Sequence, residues 1–322
     1  MKKFTFAWEH GVVIFLIAVF AIGSNMSPYF ATTDNVSFVL QDIGEIAIIA
    51  LAMTYLIISG EIDLSVASSL NLASAALGFA FRNGVSFEIS ILIGLAVGLA
   101  CGLINGFLVT VVGLPSLAVT IGTLALFRGL AYALLGNEPV NELPEAWINL
   151  GSTNIPNTFL PWTIIPIALL GFLAWIILHY TRIGRWTYAI GTNAQAAKFS
   201  GIPVARMKFA LFAATGLMSG VAGVVYTLRF ASASPDGAVG YELNVIAAVL
   251  FGGVSIAGGV GALWGVLAAV LSLGAIRSAL QLADYSANAL LIVSGALLLI
   301  SVVVPRAIVI LKSRRKSVVA KK

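Results

Sequence analysis

The sequence predicts an all-α membrane protein: a polytopic bundle of about ten transmembrane helices, some short or broken, with both termini cytoplasmic. Three observations predict it. Of the 322 residues, 60% are apolar and only 10% are charged. The mean hydropathy is +1.02. The apolar residues also fall in runs bounded by turn-forming residues. Soluble domains are about 45–50% apolar and about 25% charged, so a chain this greasy lacks the polar surface that water demands. Lipid suits it, at about 20 mostly apolar residues per spanning helix.

The runs place helices near 11–30, 44–59, 66–81, 88–112, 117–135, 162–180, 208–228, 241–257, 262–282 and 287–305. Lys2 and Lys3 precede the first run, as in a signal peptide, but no A-x-A pattern follows it. It therefore reads as a retained first span. The second, third and eighth runs are short and read as broken or tilted. The whole of 1–322 reads as one transmembrane domain, with a cytoplasmic loop at about 181–207 and a basic cytoplasmic tail at 306–322.

Charge gives an independent test of this layout. Of the 18 Lys and Arg residues, fourteen fall in three segments. These are Lys2 and Lys3; Arg182, Arg185, Lys198, Arg206 and Lys208; and Arg306, Lys312, Arg314, Arg315, Lys316, Lys321 and Lys322. The positive-inside rule puts all three on the cytoplasmic side. Six helices before the central loop and four after it satisfy that parity. The external segment Gly136 to Pro161 carries Glu138, Glu142 and Glu145 and no Lys or Arg. Trp8, Trp147, Trp162 and Trp186 flank helix ends, as interfacial anchors do. The net charge of +5 is thus a record of topology. Basic residues that hug helix ends do not form a nucleic-acid surface.

Several chemistries are excluded. His10 and His179 are the only histidines and Cys101 the only cysteine, so no zinc site and no disulfide framework can form. No G-x-x-x-x-G-K-[ST] stretch occurs, so this chain cradles no ATP phosphates by a P-loop. No paired nucleophile and base supports an enzyme. No cofactor is expected on this chain.

Two features point to packing and docking. Gly94, Gly98, Gly102 and Gly106 form a smooth ridge on one helix, suited either to close packing within the chain or to contact with a second copy. In the loop, Thr192 or Asn193 can cap a short helix over Ala194 to Ser200; Gly201 stops it and Pro203 prevents its restart. That punctuation exceeds what a solvated connector needs and suits a docking partner.

Gln195-Ala196-Ala197 followed by Gly201 resembles the E-A-A-x-x-x-G coupling motif of binding-protein-dependent ABC importer permeases, with glutamine in place of the charged glutamate. Ile58-Ser59-Gly60-Glu61-Ile62-Asp63-Leu64-Ser65-Val66 resembles the G-G-I-D-L-S-V signature of ribose-type sugar permeases. Leu114-Pro115-Ser116 through Thr120-Ile121-Gly122-Thr123 and Arg128-Gly129 resembles their L-P-x-x-x-x-T-L-G-T…R-G segment. Tyr241 to Val249, with Gly252-Gly253 and Gly258-Gly259, resembles a fourth. In the family's order these stretches cover most of the chain, with greatest likeness to permeases for ribose, rhamnose, xylose and autoinducer-2. The resemblance implies import of a sugar or sugar-like solute across the bacterial inner membrane. It implies a cytoplasmic ABC ATPase subunit that hydrolyses ATP, a second permease subunit (identical or homologous) and a periplasmic sugar-binding protein. Thr192, Asn193, Gln195, Ala196, Ala197 and Gly201 would form the ATPase-coupling site.

Candidate gate or pathway residues are Glu61, Asp63, Ser65, Asn105, Thr120, Arg128, Glu242 and Asn244. Polar groups at membrane depth are costly and are kept for partners or function. The 60–65 stretch reads either as a tight turn, with Asp63 or Ser65 capping the next helix, or as a cytoplasmic gate. Arg128 reads as held by a structural partner or as lining a path. Neutral Asn105 and Asn244 suit sugar hydroxyls better than fixed charges do. Other readings are a branched-chain amino acid or nucleoside ABC permease, and a secondary transporter. The last needs coupling carboxylates near the midplane, whereas Glu45, Glu61, Asp63, Glu242 and Asp284 lie near expected span ends.

Overall fold

A computed structural model describes residues 8–286 together with 292, 293, 295, 296, 299, 300 and 303. The expected tenth span, the basic tail, Lys2 and Lys3 lie wholly or largely outside the described residues. The described chain is all-helical: α1 (Trp8–Met26), α2 (Thr33–Asp42), α3 (Gly44–Ile58), α4 (Val66–Arg82), α5 (Phe87–Thr110), α6 (Ser116–Leu135), α7 (Glu145–Ser152), α8 (Ile164–Tyr180), α9 (Arg182–Thr192), α10 (Ala194–Phe199), α11 (Val204–Arg229), α12 (Tyr241–Phe251) and α13 (Leu263–Leu282). Isolated bridges are the only β pairings among these residues. Helices α5, α6, α11 and α13 are each long and apolar enough to cross a membrane. The bent pairs α2–α3 (46°) and α8–α9 (68°) raise the count to six.

Helix α3 is the central post. Every residue from Gly44 to Ile58 except Ala52 is buried. Helices α8, α11, α12 and α13 pack around it, much of that contact through buried apolar side chains. The outer faces are apolar too: Leu92 and Phe107 on α5, Ile121 and Leu126 on α6, and Leu169 and Phe172 on α8 are all exposed. A water-soluble bundle would put charge there; lipid requires the reverse.

The glycine ridge of α5 packs within the chain, against α11. A methyl group added at Gly98 would lie 2.5 Å from the Cα of Gly220. One added at Gly216 would lie 2.5 Å from the Cα of Gly102. Two backbones in contact leave room for no side chain between them, which is how helices gain dispersion energy without a hydrophobic driving force.

The bundle has two distinguishable ends. A basic end gathers the α3–α4, α5–α6 and α12–α13 connections with α9 and α10. An acidic end gathers α2, α7 and residues 229–241, tied by mutual Val140–Ala233 backbone hydrogen bonds of 3.0 and 2.9 Å and by the Ser37 hydroxyl donating to Asn154 Oδ1 at 2.7 Å.

Four expectations need correction. The first helix stops at Met26, not residue 30, because Pro28 follows and Phe30 folds back edge-on to Phe20 at 5.5 Å. The 241–257 run breaks at Phe251, where Gly252 and Gly253 turn the chain, the latter at φ +98°. The polar stretch 33–42 is a helix, capped by Thr32 Oγ1 accepting from the Asn35 amide. The 181–207 loop holds two helices instead of one, since α9 precedes the expected short helix.

Candidate functional site

At the basic end, α3 closes on Gly60, whose φ of +86° only glycine adopts freely. Its amide donates to Ile57 at 2.9 Å and that of Glu61 donates to Leu56 at 3.1 Å, in the usual helix-stop pattern. The chain then crosses five residues to α4. Asp63 is buried there and its Oδ1 accepts from the Ser65 amide at 2.8 Å and the Ser65 hydroxyl at 2.6 Å. Asn105 of α5 donates to Ser65 Oγ at 2.8 Å and to Asp63 Oδ2 at 3.4 Å. These donors stand in for water around a buried carboxylate. Neither Asp63 nor Ser65 caps α4 through its side chain, contrary to expectation. They tie the break to α5 instead, and Asn105, fully buried, faces this knot. Glu61 pairs directly with Lys208 of α11, both side chains being mostly buried.

The 181–207 segment lies against the same region. Thr181 starts α9, its hydroxyl accepting from the Ile183 amide at 3.2 Å. The Tyr188 hydroxyl donates to the Gly261 carbonyl at 2.7 Å. Gly191 lets α9 sit against the backbone of Ile58 and Gly259, where the Gly259 amide donates to Ile58 O at 2.8 Å. Helix α10 follows, with Asn193 Oδ1 accepting from the Ala196 amide at 2.9 Å. It ends at Gly201, at φ +83°. Ala197 is buried against the bundle, whereas Asn193, Thr192, Gln195, Ala196 and Gly201 are exposed. Phe199 is 90% exposed. Between α10 and the α5–α6 turn lies an open cleft of about 660 Å³ lined by Glu61, Ser116, Lys198, Arg206 and Lys208 among others.

The remaining sequence candidates lie elsewhere. Thr120 is buried and its hydroxyl donates to Ser116 O within α6. Arg128 approaches Glu242 of α12 at 3.9 Å, and Glu242 also accepts from the Gly240 amide at 3.1 Å. Asn244 borders a small cavity of about 20 Å³ beside Asp42 and Arg277, room for about one water. The structure thus divides the pathway candidates between two ends and does not gather them into one pocket. Among the described residues no His, Cys, Asp and Glu cluster could hold a metal ion.

The acidic end holds a charge network that sequence reasoning did not assemble. Arg229 donates to Asp42 at 3.2 Å and lies 3.0 Å from the fully buried carboxylate of Glu45. Arg277 donates to the other oxygen of Asp42 at 3.2 Å. Isolated charges beside apolar runs were the available signal; their pairing, across as many as 235 positions, was not.

Residues 35–302 match the family described as branched-chain amino acid transport system / permease component. The ribose import permease protein RbsC of Bacillus subtilis (strain 168) is 35% identical over 299 residues, 92% of this chain and 92% of that protein. The autoinducer 2 import system permease protein LsrD of Escherichia coli (strain K12) is 34% identical over 240 residues, 73% of this chain and 72% of that protein. LsrD of Shigella flexneri aligns with the same identity and cover. No solved structure matches. With most of its length matched by that family's model and by these permeases, the multi-pass apolar chain belongs to that permease family.

Proposed function

We propose that this chain is the membrane-spanning permease subunit of an ATP-driven importer for a sugar or sugar-like solute, set in a bacterial inner membrane. The alignment with a ribose import permease along 92% of both chains carries the reading. The family's description names branched-chain amino acids, but RbsC and LsrD, which align along most of their length, are named for ribose and autoinducer 2. We therefore favour a sugar-like solute.

Ten spans with both termini in the cytoplasm is the proposed layout, with the basic end inside. The grouping of Arg182, Arg185, Lys198, Arg206 and Lys208 at one end supports it. Thr192, Asn193, Gln195, Ala196, Ala197 and Gly201 form the coupling site. Helix α10 presents its exposed face to a separate ATPase subunit, which binds and hydrolyses ATP. A second permease subunit, identical or related, encloses the path, and a periplasmic binding protein delivers the solute to the acidic end. Glu61, Asp63 and Ser65 belong to the inner gate; Arg128, Glu242 and Asn244 belong to the outer half of the path. Movement is by alternating access.

Uptake of radiolabelled ribose, rhamnose, xylose and autoinducer-2 by cells with and without this chain tests the reading. Loss of one uptake, restored only with an intact ATPase subunit, is expected. Unchanged uptake of all four would favour amino acids or nucleosides. Uptake that persists with no ATPase would overturn the proposal.

A further inference from the structure

We propose that Lys208 and Glu61 are a positioning pair that makes α11 and α3 one body, so that displacement of α10 is delivered to the bend between α2 and α3 at the opposite end. The inference rests on the reading of α10 as the coupling helix.

Four observations carry it. Only residues 200–203 join α10 to α11, and this joint is stiff: the Ile202 amide donates to Ala197 O at 3.0 Å, and Pro203 fixes the next step. A push on α10 therefore enters the first turns of α11. Lys208 sits in those turns, and its ammonium contacts Glu61 just past the end of α3, with side-chain exposures of 18% and 14%. A pair this sheltered is screened less than a surface pair. Helix α11 then runs unbroken for 26 residues, about 39 Å at 1.5 Å per residue. At its far end Arg229 meets Asp42 and Glu45, the last residue of α2 and the second of α3. The same two helices are therefore clasped by ion pairs at both ends. The far clasp sits where α2 bends by 46° from α3.

Without the near clasp, the first turns of α11 are free to tilt against the end of α3, and the push dissipates. The plainer role for Lys208 is to neutralise Glu61. The two roles differ in what a pair of neutral, short side chains does. Neutralisation needs no contact; transmission does.

The test uses the full complex of permease, ATPase and binding protein in vesicles. Glu61→Ala/Lys208→Ala is expected to assemble normally and leave the KM for solute unchanged, yet lower maximal uptake per ATP hydrolysed about tenfold or more. Glu61→Lys/Lys208→Glu is expected to restore uptake to within about twofold of wild type. Wild-type uptake by the double-alanine variant, loss of its assembly, or a swapped variant no better than the double-alanine one would each overturn the inference. Ala197→Glu in the same assay separates the two readings. If it transports normally, the role of α10 falls and this inference falls with it. If it is uncoupled while the double-alanine variant transports normally, only the Lys208–Glu61 link falls.

Discussion

The two ends of the bundle treat charge in opposite ways. At the acidic end, Arg229, Arg277, Asp42 and Glu45 are drawn together, and Glu45 is removed from solvent altogether. At the basic end, Lys198 and Arg206 stand exposed beside an open cleft, and the aromatic ring of Phe199 is left almost bare. Removing a charge from water costs several kcal/mol, so it is done only with a partner in place. At the acidic end these four charges thus find their partners within the chain, whereas at the basic end Lys198, Arg206 and Phe199 remain exposed even though Glu61 and Lys208 pair.

Substitutions can break this contrast or sharpen it. The largest effect should come from between the ends. Gly98→Glu places a charged side chain where the α5 and α11 backbones touch, and membrane-embedded protein should fall nearly to zero by immunoblot. Wild-type levels would show that the two helices can part. Arg229→Met comes next. It strands Glu45 and half of Asp42 without their cation, at a cost of about 3–5 kcal/mol. The extracted protein should lose most of its thermal stability while retaining any ATPase it still assembles with. Phe199→Ser probes the other end. It should leave the melting temperature unchanged but weaken retention of the ATPase subunit by about 30-fold, the scale of an interface hot spot of about 2 kcal/mol. A melting shift with unchanged retention would reverse the contrast. The smallest effect belongs to Asn193→Ala, which removes the cap of α10 and about 1 kcal/mol. A fewfold drop in uptake, rescued by Asn193→Asp, is expected.

Much of the bundle was legible in the sequence because lipid imposes a simple rule on composition. Long apolar runs are helices, and the 88–112, 117–135 and 262–282 expectations meet α5, α6 and α13 within two residues at each end. Helix α10 was legible for a different reason: Asn193, Gly201 and Pro203 are local punctuation, and local signals survive without knowledge of the fold. Helix α9 was not legible. Thr181-Arg182-Ile183-Gly184-Arg185 reads as a polar, glycine-bearing connector, and its helicity comes from contacts that Gly184 and Gly191 allow with Leu178 and Ile58. Helix α2 was hidden likewise by Thr33, Asp34, Asn35 and Asp42: Asn35 accepts from the Ser278 hydroxyl and Asp42 pairs with Arg229 and Arg277, contacts that no local pattern announces. The Asp63–Ser65–Asn105 knot joins positions 40 or more apart. The residues could be singled out as polar groups at membrane depth, but nothing local says that they meet.

One hydrogen bond at the basic end has a mechanical consequence. The Ile58 carbonyl, at the end of α3, accepts from the Gly259 amide in the connection between α12 and α13. A helix's last carbonyls need a donor from somewhere, and here the donor belongs to the other broken segment. The two interruptions are thus fastened to each other: either one that swings away must first give up this shared bond, like a shutter hooked to its neighbour.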